Sequence, residues 1–280
     1  MPNTVNTRSS EQDPGKGPVD KAMEVLEVLV QGGAPHRLAE IARRTGLSKP
    51  TVHRHLRAMA QHGFAEPAEG GSYRAGPRLL GLAAAALDAG PDLRLVRPVL
   101  ADLRSRTGQV AHYAARHGTE AVQLEQSEAA GGYRMSVRPG GRTPLYCSAV
   151  GLAMLSALPS PEVDATLGDT PLATHTPHTL TDPAALRATL ARAAQLGYAV
   201  DDEYHERDVR AVAAPVLDGD GRLVGAVGIS GLTFTLDPES AELFGPMVRA
   251  AARTVSAGLG STGPALGVVG STAAQGGEHT

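Results

Sequence analysis

The chain has 280 residues, which is enough for two domains of ordinary size, and 42% of them are hydrophobic. This apolar content excludes a chain that is disordered throughout. There is no Trp and there are three Phe, so the cores must consist mainly of Leu, Val, Ile and Ala. The single cysteine, a polar N-terminus and the lack of a long apolar run predict a cytoplasmic protein without a membrane partner.

The charge is unevenly distributed, although the net charge is only −3. Residues 19–80 hold nine basic and six acidic side chains, whereas residues 81–280 hold fifteen basic and twenty-one acidic ones. Between residues 37 and 57 the balance is six basic to one acidic. A local basic patch on a mildly acidic protein is typical of a small DNA-reading module attached to a larger domain.

Residues 1–17 are predicted to form a disordered arm, followed by three helices. The first helix is expected at Val19–Val30 and the second at about Arg37–Thr45. The apolar face of the first helix is predicted to hold Ala22, Met23, Val25, Leu26, Leu29 and Val30. Gly46 suits the tight turn that follows, because a residue without Cβ tolerates positive φ. Ser48 is a natural N-cap for a third helix that runs to about Gln61. The inward-facing residues of the second and third helices are Leu38, Ile41, Ala42, Val52, Leu56 and Met59.

A hairpin follows the three helices. Phe64–Pro67 and Ser72–Ala75 are short extended pieces around a Gly-rich tip, and in this position they predict a wing. Arg78–Ala89 is an Ala/Leu-rich helix, and Gly90-Pro91 marks a domain boundary near residue 91.

The second half of the chain mixes both kinds of element and predicts an α+β domain with an antiparallel sheet. Helices are expected at Leu93–Thr107, Ser148–Leu158, Pro161–Leu167, Pro183–Leu196 and Pro238–Ala257. Strands are expected at Gln109–Arg116, Thr119–Gln126, Tyr133–Val137, Arg210–Leu217 and Arg222–Ser230. The residues from 258 to 280 are predicted to be a disordered tail.

The exposed side of the third helix carries groups that suit the major groove of DNA. Arg54 is the candidate for a base contact, because its guanidinium matches O6 and N7 of guanine. Thr51 and His53 are candidates for a base edge or a phosphate, and His55 is expected to pack at the edge of the core. The full predicted DNA-contacting set is Arg43, Arg44, Ser48, Lys49, Pro50, Thr51, His53, Arg54, Arg57 and Arg74, in which Arg43, Arg44, Lys49 and Arg57 contact phosphate and Arg74 extends from the wing. The alternative is a solvated basic helix in another kind of bundle.

Several segments in a fixed order carry a resemblance to a known family. They are SKPTVHR from Ser48, GPRLLGL from Gly76, RTPLYCSAVG from Arg142, GYAVDDE from Gly197, VRAVAAPV from Val209 and GISG from Gly228. Together they resemble the IclR family of bacterial transcriptional regulators. The resemblance implies a winged helix-turn-helix domain at residues 18–76, a linker helix at 77–91 and a GAF-like effector domain at 92–257. It also implies a homodimer or a dimer of dimers on a pseudo-palindromic operator, controlled by a small organic acid.

The resemblance further implies a set of effector-binding residues by position. They are Met135, Thr143, Ala149, Val150, Asp201, Val209, Ala211, Gly228 and Ser230. Ala149 and Val150 begin a helix, whose backbone N–H groups can hold a carboxylate. Ala211 stands where many relatives have Cys, and Gly228 where some have Ser, so the site is expected to be enlarged and to accept a larger, more apolar acid than glyoxylate or pyruvate.

Other chemistries remain open from the sequence. Cys147 is either a nucleophile or a small packed residue. The pairs His175/His178 and His53/His55 lack the Cys or carboxylate company of metal sites, so neither a metal nor a cofactor is expected. The acidic stretch from Asp201 to Asp208 is expected to be a solvated loop with one member in the pocket, or else a cation site, and Arg210 is a candidate ion-pair partner for it. The alternative function is an enzyme or a sensor whose N-terminal module only mediates assembly.

Overall fold

The computed structural model describes residues 17–31, 35–89, 93–127, 138–168 and 171–260. The chain divides into two compact units between Asp88 and Ala89. The strand predicted at Tyr133–Val137 and the boundary at Gly90-Pro91 lie outside the described residues. None of the helices in the described ranges combines the length and the apolar composition that a bilayer crossing needs.

Three helices form the first part of the first unit: α1 at Pro18–Val30, α2 at Leu38–Thr45 and α3 at Lys49–Gln61. Gly46 ends α2 with φ 69°, in the left-handed region that favours glycine. The Ser48 side chain accepts a hydrogen bond from the Thr51 N–H at 3.4 Å and thereby caps α3. The turn and the cap are both found where the sequence predicts them.

The wing is a three-stranded antiparallel sheet in the order β1-β3-β2. Its strands are β1 at His36–Arg37, β2 at Ala65–Ala68 and β3 at Ser72–Ala75, and a short 3₁₀ turn joins β2 to β3. The predicted hairpin is confirmed. The two-residue β1 was not predicted, because it is too short to show an alternating pattern.

The core of the first unit contains Val25, Leu29, Ile41, Val52 and Leu56, all of them buried. The prediction for α1 was wrong at two positions, because Met23 and Val30 are 53% and 52% exposed. Helical geometry explains the error: Val25, Val28 and Leu29 share one side of α1, whereas Val19, Met23 and Val30 lie together on another. The helix therefore has two apolar sides, and only one of them packs inside the unit. Helix α4, at Pro77–Ala89, follows the wing.

The second unit is built on a six-stranded antiparallel sheet in the order β6-β5-β4-β9-β8-β7. The strands are β4 at Val110–His117, β5 at Glu120–Ser127, β6 at Arg142–Pro144, β7 at Ala199–Asp202, β8 at Val209–Leu217 and β9 at Leu223–Leu232. The helices are α5 at Leu93–Thr107, α6 at Ala149–Ser156, α7 at Ser160–Leu167, α8 at Pro183–Leu196 and α9 at Pro238–Gly260.

The two faces of this sheet pack against different helices. One face carries Tyr113, Val212, Val227 and Ile229, which are buried together with side chains of α5 and α9. The other, which we name the α6 face, is buried against α6 and α8. The residues that the strands contribute to this buried cluster are alanines: Ala114, Ala121, Ala199, Ala211, Ala213 and Ala226. Successive side chains of a strand point to opposite faces, so each strand contributes to both layers.

Two elements of this unit depart from the sequence prediction. Strands β6 and β7 have three and four residues and were not predicted. The acidic stretch, which was expected to be a solvated loop with one member in the pocket, begins in β7 instead; Asp201, the member in the predicted effector set, is buried, and Asp202 is partly buried. Arg210 donates to Asp202 Oδ1 at 2.9 Å, as its candidate ion-pair role required. The last helix continues to Gly260, three residues beyond the predicted end.

Candidate functional sites

Helix α3 separates a packing side from an exposed side. Val52 and Leu56 are fully buried, whereas Lys49, His53, Arg54 and Arg57 are exposed. Thr51 lies between the two sides, and its Oγ1 is 2.8 Å from Ser48 Oγ. The cap therefore fixes both the start of the helix and the side chain of its first turn, and the exposed side is nearly all cationic or hydrogen-bonding.

The predicted DNA-contacting arginines fall into two groups. Arg44 Nη2 donates to Gln31 Oε1 at 2.6 Å, and Arg74 forms an ion pair with Glu66 at 2.8 Å. The second group, Arg43, Arg54 and Arg57, makes no hydrogen bond or ion pair with another residue that the structure describes. An exposed ion pair or a hydrogen bond to a neutral amide is worth about 1 kcal/mol, so Arg74 and Arg44 can exchange these partners for phosphate.

His55 is half-buried at the edge of the core, where it was expected to pack. Its pKa is lowered by burial and by the positive charges of Arg54 and Lys21. The ring therefore remains neutral and does not add to the cationic surface of α3.

The strand residues of the predicted effector set lie together on the α6 face. Strand register places Asp201 on β7 opposite Ala211 on β8, and Ala211 opposite Ser230 on β9. The next row pairs Ala213 with Gly228. Adjacent strands are about 4.8 Å apart, so Asp201 and Ser230 are separated by roughly 10 Å at the backbone. Val209 is two residues before Ala211 on β8, is buried and points to the same face.

Asp201 is a buried carboxyl group at one side of this row. Its Oδ1 accepts a hydrogen bond from the Tyr204 N–H at 2.7 Å. Burial raises the pKa of Asp201 to about 7, although hydrogen bonds from the backbone of Tyr204 and His205 act in the opposite direction. The group therefore titrates near neutrality, which is unusual for a carboxyl group and typical of functional sites.

His112 is a buried polar residue of this face that the predicted effector set did not include. It is buried on β4 directly opposite Gly228, and its Nε2 lies 2.9 Å from Ser230 Oγ. Burial lowers the pKa of His112 to about 4, so the imidazole is neutral at pH 7. A single histidine within an apolar strand was the only local signal. Its partner is 118 residues away, and only the register brings the two together.

Gly228 contributes a close contact rather than free space. A Cβ at this position would lie 3.0 Å from His112 Cε1 and 3.1 Å from Ala213 Cβ. The expectation that Gly228 enlarges the site is therefore wrong at this residue, because the imidazole of His112 occupies the room. Ala211 remains the small side chain between Asp201 and Ser230.

The start of α6 completes the described part of the set. Ser148 caps the helix by accepting from the Gly151 N–H at 3.3 Å, and Thr143 Oγ1 donates to Ser148 Oγ at 3.4 Å. Ala149 and Val150 are buried in the same cluster as Ala211. The N–H groups of a first helical turn have no partner within the helix. Met135, the remaining predicted residue, lies outside the described residues.

Comparison with known proteins identifies both units. A family model of the IclR helix-turn-helix domain matches residues 18–69, and one of the bacterial transcriptional regulator IclR C-terminal domain matches residues 85–257. The chain belongs to the IclR family. It is therefore a DNA-binding transcriptional regulator and not an enzyme. The predicted fold class, a helix-turn-helix domain followed by an α+β domain with an antiparallel sheet, is confirmed.

The IclR-family relatives align along most of the chain. The HTH-type transcriptional regulator XynR and the transcriptional repressor IclR, both of Escherichia coli strain K12, are each 30% identical over 243 residues. These alignments cover 86% of this chain and 96% and 89% of the two relatives. The crystal structure of an IclR homologue from Microbacterium hydrocarbonoxydans complexed with 4-hydroxybenzoate superimposes with a TM-score of 0.72. It is 28% identical, and the match covers 87% of this chain and 99% of the homologue.

The alternative chemistries find no support in this IclR-family chain. Cys147 is fully buried, and burial raises the pKa of its thiol to about 12, so it is not poised as a nucleophile. Among the residues with described coordinates, no three His, Cys, Asp or Glu side chains are grouped as metal ligands would be.

Arg210, the partner of Asp202, is buried and also donates to the Leu236 carbonyl at 2.6 Å.

Proposed function

We propose that this IclR-family regulator binds a pseudo-palindromic operator as a homodimer or a dimer of dimers. Two α3 helices would then enter successive major grooves about 34 Å apart. The observation that carries the proposal is the capped α3 with its exposed cationic side. The exposed apolar side of α1, formed by Val19, Met23 and Val30, supports self-association through the N-terminal module. We place the protein in the cytoplasm, at the nucleoid when it is bound to DNA.

Within the DNA interface we assign the base contact to Arg54, with Thr51 and His53 beside it. The phosphate contacts are assigned to Arg43, Arg44, Lys49, Arg57 and Arg74, while Ser48 and Pro50 set the start of the helix. Arg54 is supported by its exposure and by the absence of a competing hydrogen bond within the described residues. We accordingly propose that residues 18–76 bind DNA, that residues 77–91 link the two domains, and that residues 92–257 bind the effector.

We further propose that the effector is a small organic acid bound on the α6 face. Its carboxylate would meet the first N–H groups of α6, next to Ala149 and Val150, and its body would lie over Ala211 between Asp201 and Ser230. The homologue complexed with 4-hydroxybenzoate supports an acid larger and more apolar than pyruvate. The effector can shift DNA affinity only through its different affinities for the DNA-bound and free arrangements of the protein.

The proposal is tested by mobility-shift assays with the DNA upstream of the protein's own gene, at low salt. Random-sequence DNA of equal length serves as the control. We expect tighter binding to the upstream DNA, and a change in that affinity when 4-hydroxybenzoate, but not pyruvate, is added. Calorimetric titration of both acids gives their affinities directly. Failure to bind either DNA at low salt contradicts the DNA-reading role of the N-terminal module, and binding of pyruvate alone contradicts the effector assignment.

A further inference from the structure

A buried polar couple joins β4 to β9 on the α6 face. It consists of His112, which is 2% exposed, and Ser230, which is 4% exposed, with 2.9 Å between Nε2 and Oγ. The other ring nitrogen of His112, Nδ1, is buried and has no hydrogen-bond partner in the described structure. Cε1, the ring carbon between the two nitrogens, faces Gly228 on β9.

This nitrogen needs a partner that the strands themselves do not supply. Almost all buried polar atoms in folded proteins are hydrogen-bonded, because leaving one unpaired costs its full desolvation. The Ser230 contact accounts for Nε2 and holds the ring in place, but it leaves Nδ1 unused. An orienting contact on one nitrogen and an unused second nitrogen on a ligand-binding face are typical of a histidine that contacts a ligand.

The chemistry of the couple selects the kind of group it can bind. His112 is neutral, so it attracts a carboxylate less strongly than an arginine or a lysine would. A neutral imidazole presents either a donor or an acceptor at Nδ1, and the Ser230 hydroxyl can reverse its own role to match. A hydroxyl group is both donor and acceptor, so it can pair with Nδ1 whether or not Nδ1 carries the proton. A carboxylate only accepts, so it can pair with Nδ1 only when Nδ1 carries the proton.

We propose that Nδ1 of His112 binds a hydroxyl group of the effector, which makes the effector a hydroxylated organic acid. The inference rests on the effector site proposed above and says which effectors that site prefers. His112 binds the hydroxyl group of the effector, while the carboxylate of the effector lies at the start of α6. The ordinary alternative is that His112 only fastens β4 to β9 through Ser230.

Two substitutions separate the nitrogens of the ring. In His112→Asn the amide lies where Nδ1 was, and contact with Ser230 is lost. In His112→Gln the amide reaches the place of Nε2, which keeps Ser230 paired and leaves no group at Nδ1. Circular dichroism, thermal unfolding and gel filtration show whether each variant keeps the fold and the oligomeric state of the wild type.

The ligands are used in pairs that differ by one hydroxyl group: 4-hydroxybenzoate with benzoate, and 4-hydroxyphenylacetate with phenylacetate. Calorimetry on the full-length protein measures each dissociation constant. We expect the wild type to prefer the hydroxylated member of at least one pair roughly ten-fold, which is the effect of one well-made hydrogen bond. His112→Gln is expected to abolish this preference while changing the affinity for the parent acid less than about three-fold. His112→Asn is expected to retain part of it.

Nitrogen NMR of the wild-type imidazole needs no variant. We expect the Nδ1 resonance of His112 to shift with the hydroxylated acid and to stay in place with its parent. Three results would overturn the inference and leave the organic-acid site intact. The wild type could bind both members of each binding pair equally well, or His112→Gln could lose the same affinity for both members. The third is an Nδ1 resonance that does not move. If no acid of either pair binds the wild type, the proposed effector, an acid larger and more apolar than pyruvate, and the inference fall together.

Discussion

Replacing Asp201 with Asn tests the unusual electrostatics of the α6 face. Burial raises the pKa of this carboxyl group from its ordinary value of 3.8 to about 7. Between those values the folded chain holds a proton that the unfolded chain has released. Below about pH 4 the carboxyl group therefore does not reduce the free energy of unfolding. As pH rises to about 7 it lowers the free energy of unfolding progressively, and above pH 7 this reduction is constant.

The size of the effect follows from the two pKa values. At 1.36 kcal/mol for each pKa unit, their separation corresponds to about 4 kcal/mol as an upper limit. Asn keeps a carbonyl oxygen that can accept from the Tyr204 N–H, and it carries no charge. We therefore expect Asp201→Asn to exceed the wild type in stability by about 1 kcal/mol near pH 4.5 and by up to about 4 kcal/mol at pH 8.

Urea unfolding at a fixed protein concentration, followed by circular dichroism at pH 4.5, 6 and 8, measures this difference. Asp220→Asn is the matched control, because its side chain is 72% exposed in the pair with Arg222. The control should stay within about 0.5 kcal/mol of the wild type at each pH. A stability difference for Asp201→Asn that does not grow with pH, or that the control reproduces, refutes the buried-carboxyl argument.

Three further experiments address the DNA interface and the packing. Arg54→Ala should cost about 1–3 kcal/mol of binding free energy on operator DNA and little on random DNA, whereas Arg43→Ala should weaken binding to both DNAs alike. Mobility shifts on the two DNAs measure these losses. Equal losses on both DNAs for Arg54→Ala would contradict its proposed contact with a base. Gly151→Ala should destabilise by at least about 1–3 kcal/mol in thermal unfolding, because its Cβ would lie 2.3 Å from the backbone of the preceding turn. Gly81→Ala, in an open helical position, is the control and should be neutral or stabilising. The thiol of Cys147 should react with iodoacetamide only on unfolding; rapid labelling of the native protein at pH 8 would contradict its burial.

The sequence predicted the elements whose causes are local. The Ser48 cap, the Gly46 turn and the bounds of α5 and α8 follow from residues within one or two turns of each element. The winged module and the antiparallel sheet were predicted for the same reason, since each helix and hairpin carries its own start and stop signals.

The features that the sequence did not predict depend on distant partners. The His112–Ser230 couple joins β4 to β9 across 118 residues, and strand register is not readable from one strand alone. Strand β7, which holds Asp201, was not predicted, because its four residues form a strand through pairing with β8. Met23 was misplaced because α1 has two apolar sides, and periodicity cannot say which of them faces the core.

The internal partners of Arg44 and Arg74 have a consequence for how the protein searches DNA. Each phosphate contact normally releases close to one counterion, which makes affinity fall steeply with salt. In the proposed DNA complex, Arg74 would exchange Glu66 for a phosphate, and the displaced carboxylate would then lie near the DNA backbone with its own charge. Affinity for DNA of arbitrary sequence should therefore depend on salt less steeply than the number of basic residues suggests. Weak non-specific attachment leaves a larger share of the discrimination to the exposed side of α3.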